Sequence, residues 1–129
     1  MTIFADGILK DRVAFVTGGG TGITGGVARA LAEAGANVSL VSRSMEHLER
    51  AAEAINRIRS PSVSQGSIGK AFAVAADVRQ PEEVEKAVAA TVEHFGKIDI
   101  VVNGAAGNFL CKPEELSPNG FGTVVDIDL

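Results

Sequence analysis

Residues 16–29, VTGGGTGITGGVAR, decide how the rest of the chain is read. Six glycines, Gly18, Gly19, Gly20, Gly22, Gly25 and Gly26, lie between the apolar run Val13–Val16 and a helical pattern. Glycine is costly to order, so such a density asks what approaches the backbone. A glycine turn after a strand and before a helix leaves backbone N–H groups at a helix N-terminus, where an anion binds. Gly20-Thr21-Gly22-Ile23-Thr24-Gly25 fits G-x-G-x-x-G, and Thr17-Gly18-x-x-x-Gly22 gives a second spacing. Both point to a pyrophosphate; the competing reading is a turn needed only for tight packing.

Outward from this turn, short apolar runs alternate with helical patterns. Strands are expected at Val13–Val16, Val38–Val41, Phe72–Ala76 and Ile98–Val102, each rich in Val, Ile or Ala, as strands buried on both faces are. Between them, Ile23, Val27, Leu31 and Ala34 fall on one helical face, as do Leu48, Ala51, Ile55 and Ile58, and Val84, Val88, Val92 and Phe95. Gly35 and Gly96 stand at expected helix ends, and Pro81 at a helix start, followed by Glu82 and Glu83. Residues 60–69 have loop composition. The alternation predicts an α/β Rossmann-type doubly wound parallel sheet, strand order 3-2-1-4, ending after the fourth strand and the start of another helix.

The second strand ends in Ser42-Arg43-Ser44. A dinucleotide fold that takes NAD places a carboxylate near here on the ribose 2′-hydroxyl. Arg43 cannot accept that bond, but its guanidinium suits a 2′-phosphate, so NADP(H) is expected over NAD(H). Asp77-Val78 follows the third strand; Asp77 either accepts from an adenine amino group or caps a turn before Pro81. The small residues of Asn103-Gly-Ala-Ala-Gly107 end the fourth strand and leave room for a ribose and nicotinamide.

Composition narrows the classes. The chain has 129 residues, 46% of them apolar, enough for one domain with a real core. A net charge of −4 and a pI near 5.1 disfavour a nucleic-acid partner. No apolar run approaches the roughly 18 residues of a membrane span, so no membrane association is expected. The lone Cys111 forms no internal disulfide and is expected to pack as a small residue. His47 and His94 lack a ligand cluster, are expected at the surface, and no metal site is foreseen.

Together, Thr17-Gly18-x-x-x-Gly22-Ile23, Asp77-Val78 and Asn103–Gly107 resemble the classical short-chain dehydrogenase/reductase family across essentially the whole chain. NGAAGNFLCKPEELSPNGF, 103–121, is similar to the 2,4-dienoyl-CoA reductases of peroxisomes and bacteria. The resemblance implies that Gly18, Gly19, Gly20, Thr21, Gly22 and Ile23 hold the cofactor phosphates. Arg43 with Ser44 would take the 2′-phosphate, Asp77 and Val78 the adenine, and Asn103 and Ala105 the nicotinamide ribose. Arg79, Phe109, Ser117 and Asn119 would contact a fatty acyl-CoA, with Arg43 reaching it too. The implied reaction is hydride transfer from NADPH to a 2,4-dienoyl-CoA during fatty acid β-oxidation. The alternatives are a 3-ketoacyl reductase and a non-catalytic NADP(H)-binding fragment; the extra alanine of Ala105-Ala106 and Phe109 favour the dienoyl reading over the former.

Three departures bear on this. Thr24 stands where the family has its third glycine, and its Cβ is expected to narrow the approach of the pyrophosphate unless Gly25 takes over. Asp128 stands where many members have Asn. The chain has no tyrosine, and Lys10, Lys70, Lys86, Lys97 and Lys112 do not match the family's catalytic lysine. The resemblance therefore places the catalytic Ser, Tyr and Lys positions beyond Leu129, with no catalytic residue inside the chain. Residues 1–129 are expected to form the NADP(H)-binding half of a larger single-domain reductase, inactive by themselves. The fourth strand would then carry an exposed apolar edge, and the parent would be an intracellular homo-oligomer, cytoplasmic in a bacterium or peroxisomal in a eukaryote.

Overall fold

The first strand, β1 (Val13–Thr17), is buried along its whole length and lies between two parallel neighbours. The computed structural model describes residues 3–58, 67–106 and 111–129. After β1 come α1 (Gly22–Glu33), β2 (Asn37–Ser42), α2 (Met45–Asn56), β3 (Ala71–Ala75), α3 (Pro81–Phe95), β4 (Ile100–Asn103), a 3-10 turn at Pro113–Glu115 and α4 (Pro118–Asp128). The sheet order is β3-β2-β1-β4, all parallel, as the alternation of runs and helical patterns predicts. Register is set by Val16↔Leu40 on one side of β1 and Val16↔Val102 on the other.

Both faces of the sheet are covered. On one, Ala14, Val16, Val38 and Leu40 pack with Ala28 and Ala32 of α1 and Leu48, Ala52 and Ile55 of α2. On the other, Phe15 and Val41 pack with Ala76 and with Ala87 of α3. Successive residues of β1 thus serve opposite cores, which is why the run is apolar without alternation. At the lower end of the sheet, Asp99 accepts from the Val13 N–H at 2.9 Å and pairs with Lys97 and Arg12. The Val13 N–H is the main reason its carboxyl lies below the ordinary value.

Two helices turn differently from the expected faces. In α1, Ala28 and Ala32 are buried, whereas Ile23 is 89% exposed and Val27 lies at the surface. In α3, Ala87 and Thr91 face the sheet, and Val88 and Val92 are exposed. Small side chains let these helices sit close to the strands, and a branched residue at the same place would hold them away. Thr91 is tolerated because its hydroxyl donates to Ala87 O at 2.9 Å and lies 2.7 Å from Ser39 Oγ, whose own hydroxyl is then the donor between them. For α2 the expected face is the buried one, through Leu48 and Ile55.

The ends follow their local chemistry. Pro81 opens α3 with Glu82 and Glu83 in its first turn, and Gly96 closes it at φ 90°. Gly35, at φ 108°, follows the C-cap of α1. The fourth strand begins later than its apolar run: Ile98 precedes it, half-buried against the α3 core, because Asp99 turns the chain to meet Val13. Cys111 is exposed rather than packed, since it lies in the surface segment leading to α4. His94 is at the surface with its ring stacked on Phe72, centroids 4.1 Å apart.

Among the described residues β4 pairs only with β1, and Val101 is 59% exposed on it. An unpaired apolar edge invites strand addition. The 129-residue chain expressed alone is expected to self-associate at high concentration, and Val101→Lys to shift it towards monomer in sedimentation velocity. A chain that stays monomeric at high concentration without the substitution would remove this expectation.

Candidate functional site

Thr17, the last residue of β1, organises the carboxyl edge of the sheet. Its O–H donates to Val102 O at 3.3 Å, and its oxygen accepts from the N–H groups of Gly104 and Ala105 at 3.1 and 3.2 Å. One side chain therefore ties the exit of β4 to the exit of β1. The Gly18 N–H crosses to β2, donating to Val41 O at 2.7 Å. The glycine turn is thus held from both sides.

The glycines do different jobs. Gly18 has φ +69°, and a Cβ there would lie 2.6 Å from Gly104 O. Gly19 faces inward; its Cβ would lie 3.0 Å from Val16 O and 3.1 Å from Leu40 Cδ2. Gly20 rests on the first turn of α2, where a Cβ would come within 3.3 Å of Leu48 Cδ2. At these three positions it is the protein's own chain that approaches. Gly22 differs: it has φ +63° and nothing within 4 Å of its absent Cβ. Its bare backbone, at the start of α1, is the part of the turn left open to a ligand.

The N-terminus of α1 is also left unsatisfied. Thr21 is its N-cap but makes no side-chain cap bond, and no acidic residue stands in the first turn. By contrast α2 and α4 are capped by Ser44 and Ser117, and α3 begins with two glutamates. Orphan N–H groups at the positive end of a helix suit an anion.

In front of this turn lies a cavity of about 680 Å³. That size accommodates a cofactor-sized ligand. Of the sequence-derived candidates, Gly18, Gly20, Thr21, Gly22 and Ile23 line it, as do Arg43, Ser44, Asp77, Val78 and Ala105. Gly19 does not, because it faces the core. Asn103 does not either; it ends β4 opposite Thr17 and is exposed. Thr24, Val41, Ser42, Ala76, Gly104, Ala106, Ile127 and His47 complete the walls. Neither His47 nor Ile127 is signalled by spacing; His47 comes from the first turn of α2 and Ile127 from the end of α4.

Arg43 stands apart in its surroundings. Among the described residues, Arg12, Arg29, Arg50, Arg57 and Arg79 each pair with a carboxylate. Arg43 makes no such pair while lining the cavity. Arg79 is committed to Asp77: its guanidinium grips both carboxylate oxygens, with Nε 3.0 and 3.1 Å away and a terminal nitrogen at 2.6 Å. The Arg79 backbone N–H adds a bond of 3.0 Å to Asp77, which closes a turn before α3. Asp77 thus takes the turn-capping role and still borders the cavity. These Arg79 bonds, side chain first and backbone second, hold its carboxyl down at about 2.

Of the substrate-side candidates, Arg43 lines the cavity and Arg79 does not. Ser117 accepts from the Gly120 N–H as the cap of α4, and Asn119 O accepts from the Thr123 hydroxyl; neither reaches the cavity. Phe109 lies outside the described residues.

Thr24, expected to narrow the pyrophosphate approach, stands in the cavity wall. Its hydroxyl donates to Gly18 O at 2.7 Å, and its methyl fills the space beside Gly104. The side chain braces the turn through that bond. A Cβ on Gly104 would overlap Thr24 Cγ2 and lie 2.7 Å from Thr17 O.

A parallel sheet in this order, with an open glycine turn and a cavity at its carboxyl edge, defines a dinucleotide-binding fold. The family model for short chain dehydrogenases matches residues 12–129, and the chain belongs to that family. The peroxisomal 2,4-dienoyl-CoA reductase of Arabidopsis thaliana is 40% identical over 125 residues, covering 97% of this chain and 39% of that protein. The peroxisomal 2,4-dienoyl-CoA reductase of Saccharomyces cerevisiae is 45% identical over 122 residues, covering 95% and 40%. The chain thus spans about two-fifths of the length of these curated relatives. Among solved structures, 3-ketoacyl-(acyl-carrier-protein) reductase from Brucella melitensis, complexed with NADH, superposes with TM-score 0.77 at 33% identity, covering 94% of this chain and 45% of that one. An alcohol dehydrogenase from Thermococcus sibiricus, complexed with 5-hydroxy-NADP, gives 0.78 at 31%, covering 92% and 47%.

Two outcomes are expected. Gly104→Ala destabilises by about 1–3 kcal/mol through overpacking; adding Thr24→Gly recovers part of the loss in thermal unfolding, but not all, because Thr17 O remains in the way. Asp77 titrates below its unfolded value of 3.8, so its contribution to stability is complete above that pH and is lost as the pH falls towards 2. Arg79→Ala should raise the Asp77 titration towards 3.8, read by NMR of its carboxyl carbon.

Proposed function

We propose that residues 1–129 are the cofactor-binding half of a larger single-domain reductase that uses NADPH to reduce 2,4-dienoyl-CoA thioesters in the breakdown of unsaturated fatty acids. The observation that carries the cofactor choice is Arg43, which lines the cavity and forms no salt bridge among the described residues. A guanidinium there favours a 2′-phosphate over a bare hydroxyl. The substrate class is supported by curated relatives at 40–45% identity that are named 2,4-dienoyl-CoA reductases.

The residues fit a dinucleotide in order along the cavity. Asp77 and Val78 border the place for the adenine. The Gly22 backbone and the uncapped N–H groups of α1 hold the pyrophosphate. Gly104 and Ala105, kept in place by Thr17, present a wall without bulk to the nicotinamide ribose. The bound nicotinamide supplies the hydride. Arg79, Phe109, Ser117 and Asn119 are assigned to the acyl-CoA side, and the proton-handling residues to the sequence beyond Leu129. The whole protein is placed in the peroxisome of a eukaryote or the cytoplasm of a bacterium, as a homo-oligomer. A 3-ketoacyl reductase is the second reading, supported by the Brucella structure at 33% identity.

The test is equilibrium binding to the full-length protein, followed by turnover. NADPH should bind more tightly than NADH, and Arg43→Ala should weaken NADPH about 30-fold, equivalent to roughly 2 kcal/mol for a hydrogen-bonded charge, with little effect on NADH. Oxidation of NADPH with a 2,4-dienoyl-CoA but not with a 3-ketoacyl thioester would support the substrate. The opposite substrate preference would move the assignment to the second reading, and binding without turnover to a non-catalytic NADP(H)-binding protein.

A further inference from the structure

Thr24 is the third residue of α1, and its side chain meets both strand exits that border the cavity. Its hydroxyl donates to Gly18 O at 2.7 Å. Its methyl occupies the space in which a Cβ on Gly104 would stand. The bond to Gly18 closes residues 18–24 into a ring that contains Gly18, Gly19, Gly20 and Gly22. Glycine loses more conformational freedom on ordering than any other residue, so an open chain of this composition would be costly to fix around a ligand. The Gly18 N–H bond to Val41 O holds the start of the ring, and the Thr24 bond ties its end to the same residue. Thr21, the N-cap of α1, makes no side-chain cap bond, so among the described residues the bracing of this turn falls to Thr24.

We propose that Thr24 is a positioning residue for cofactor binding: its hydroxyl fixes the glycine turn in the free protein, so that the backbone around Gly22 meets a pyrophosphate with little further loss of freedom. This rests on the nicotinamide-dinucleotide reading above and holds for NADP(H) and NAD(H) alike. Thr24 acts through the Gly18 carbonyl and does not itself hold the ligand. A turn already set in its bound shape binds more tightly than one that must be ordered on binding, with no new contact to the ligand. The two parts of the side chain can be separated. Valine keeps the branched shape and a similar helix propensity but has no hydroxyl, whereas serine keeps the hydroxyl and lacks the methyl. The proposal assigns the effect to the hydroxyl.

The experiment uses calorimetry on the full-length protein with whichever of NADPH and NADH binds more tightly. Beside it is measured the matching fragment without the pyrophosphate, 2′-AMP for NADPH or adenosine for NADH. Thr24→Val should weaken the dinucleotide about fivefold to tenfold and leave the fragment within about twofold. Thr24→Ser should stay within about twofold of the unaltered protein for both ligands. Amide hydrogen exchange across residues 18–24 should be faster in free Thr24→Val than in the unaltered protein, and the difference should close once the dinucleotide is bound. Should Thr24→Val fail to fold, Thr24→Ala, a better helix former without the hydroxyl, carries the same expected loss. The proposal is overturned by an equal loss for dinucleotide and fragment, by no loss in the variants without the hydroxyl, or by a loss in Thr24→Ser as large as theirs. If the unaltered protein binds neither NADPH nor NADH, the dinucleotide reading itself fails, and the positioning role with it, whatever the exchange of residues 18–24 shows.

Discussion

The carboxyl edge of this sheet depends on the close passage of two strand exits, at Gly18 and Gly104. A Cβ on either would strike the backbone of the other strand's exit: from Gly18 the Gly104 carbonyl, from Gly104 the Thr17 carbonyl. Thr17 converts that passage into hydrogen bonds, with its single hydroxyl serving Val102, Gly104 and Ala105. Because β1 is the central partner of both β2 and β4, this one junction fixes where α1 begins and where the cavity opens. A parallel sheet with crossovers on both faces leaves its strand exits as the place where a ligand can meet several elements at once.

The glycine-rich turn divides its labour within a few residues. Gly18, Gly19 and Gly20 serve the protein's own packing, against β4, the core and α2 in turn. Gly22 is left bare before the uncapped start of α1. Thr24 then braces the turn by holding the Gly18 carbonyl. A threonine at position 24 is accommodated because its methyl uses the space that a side chain at position 104 would occupy. The threonine at one position and the smallness of the other form a single steric unit.

Charge is distributed with similar selectivity. The described arginines other than Arg43 are neutralised by carboxylates, mostly one turn away on the same helix. Asp77 and Arg79 neutralise each other at the cavity rim, which removes a carboxylate from the approach of an anion. The cavity wall keeps a cation, a capping hydroxyl and an imidazole.

The sequence by itself determined the sheet, its parallel order and the position of the glycine turn. Each depends on local signals: continuous apolar runs for strands buried on both faces, Pro81 and Gly96 at the ends of α3, and glycines placed between a strand and a helix. The site residues that follow directly on those signals, such as Gly22 and Arg43, were legible for the same reason. The tertiary structure decided which face each helix buries. Helical spacing pointed to Ile23, Val27, Val88 and Val92, but α1 and α3 needed small contacts to approach the strands, and Ala28, Ala32, Ala87 and Thr91 supply them. It also decided the brace at Thr24, the commitment of Arg79 to Asp77 and the arrival of His47 at the cavity. Those depend on distances between segments far apart in the chain, and periodicity within one segment carries no information about them.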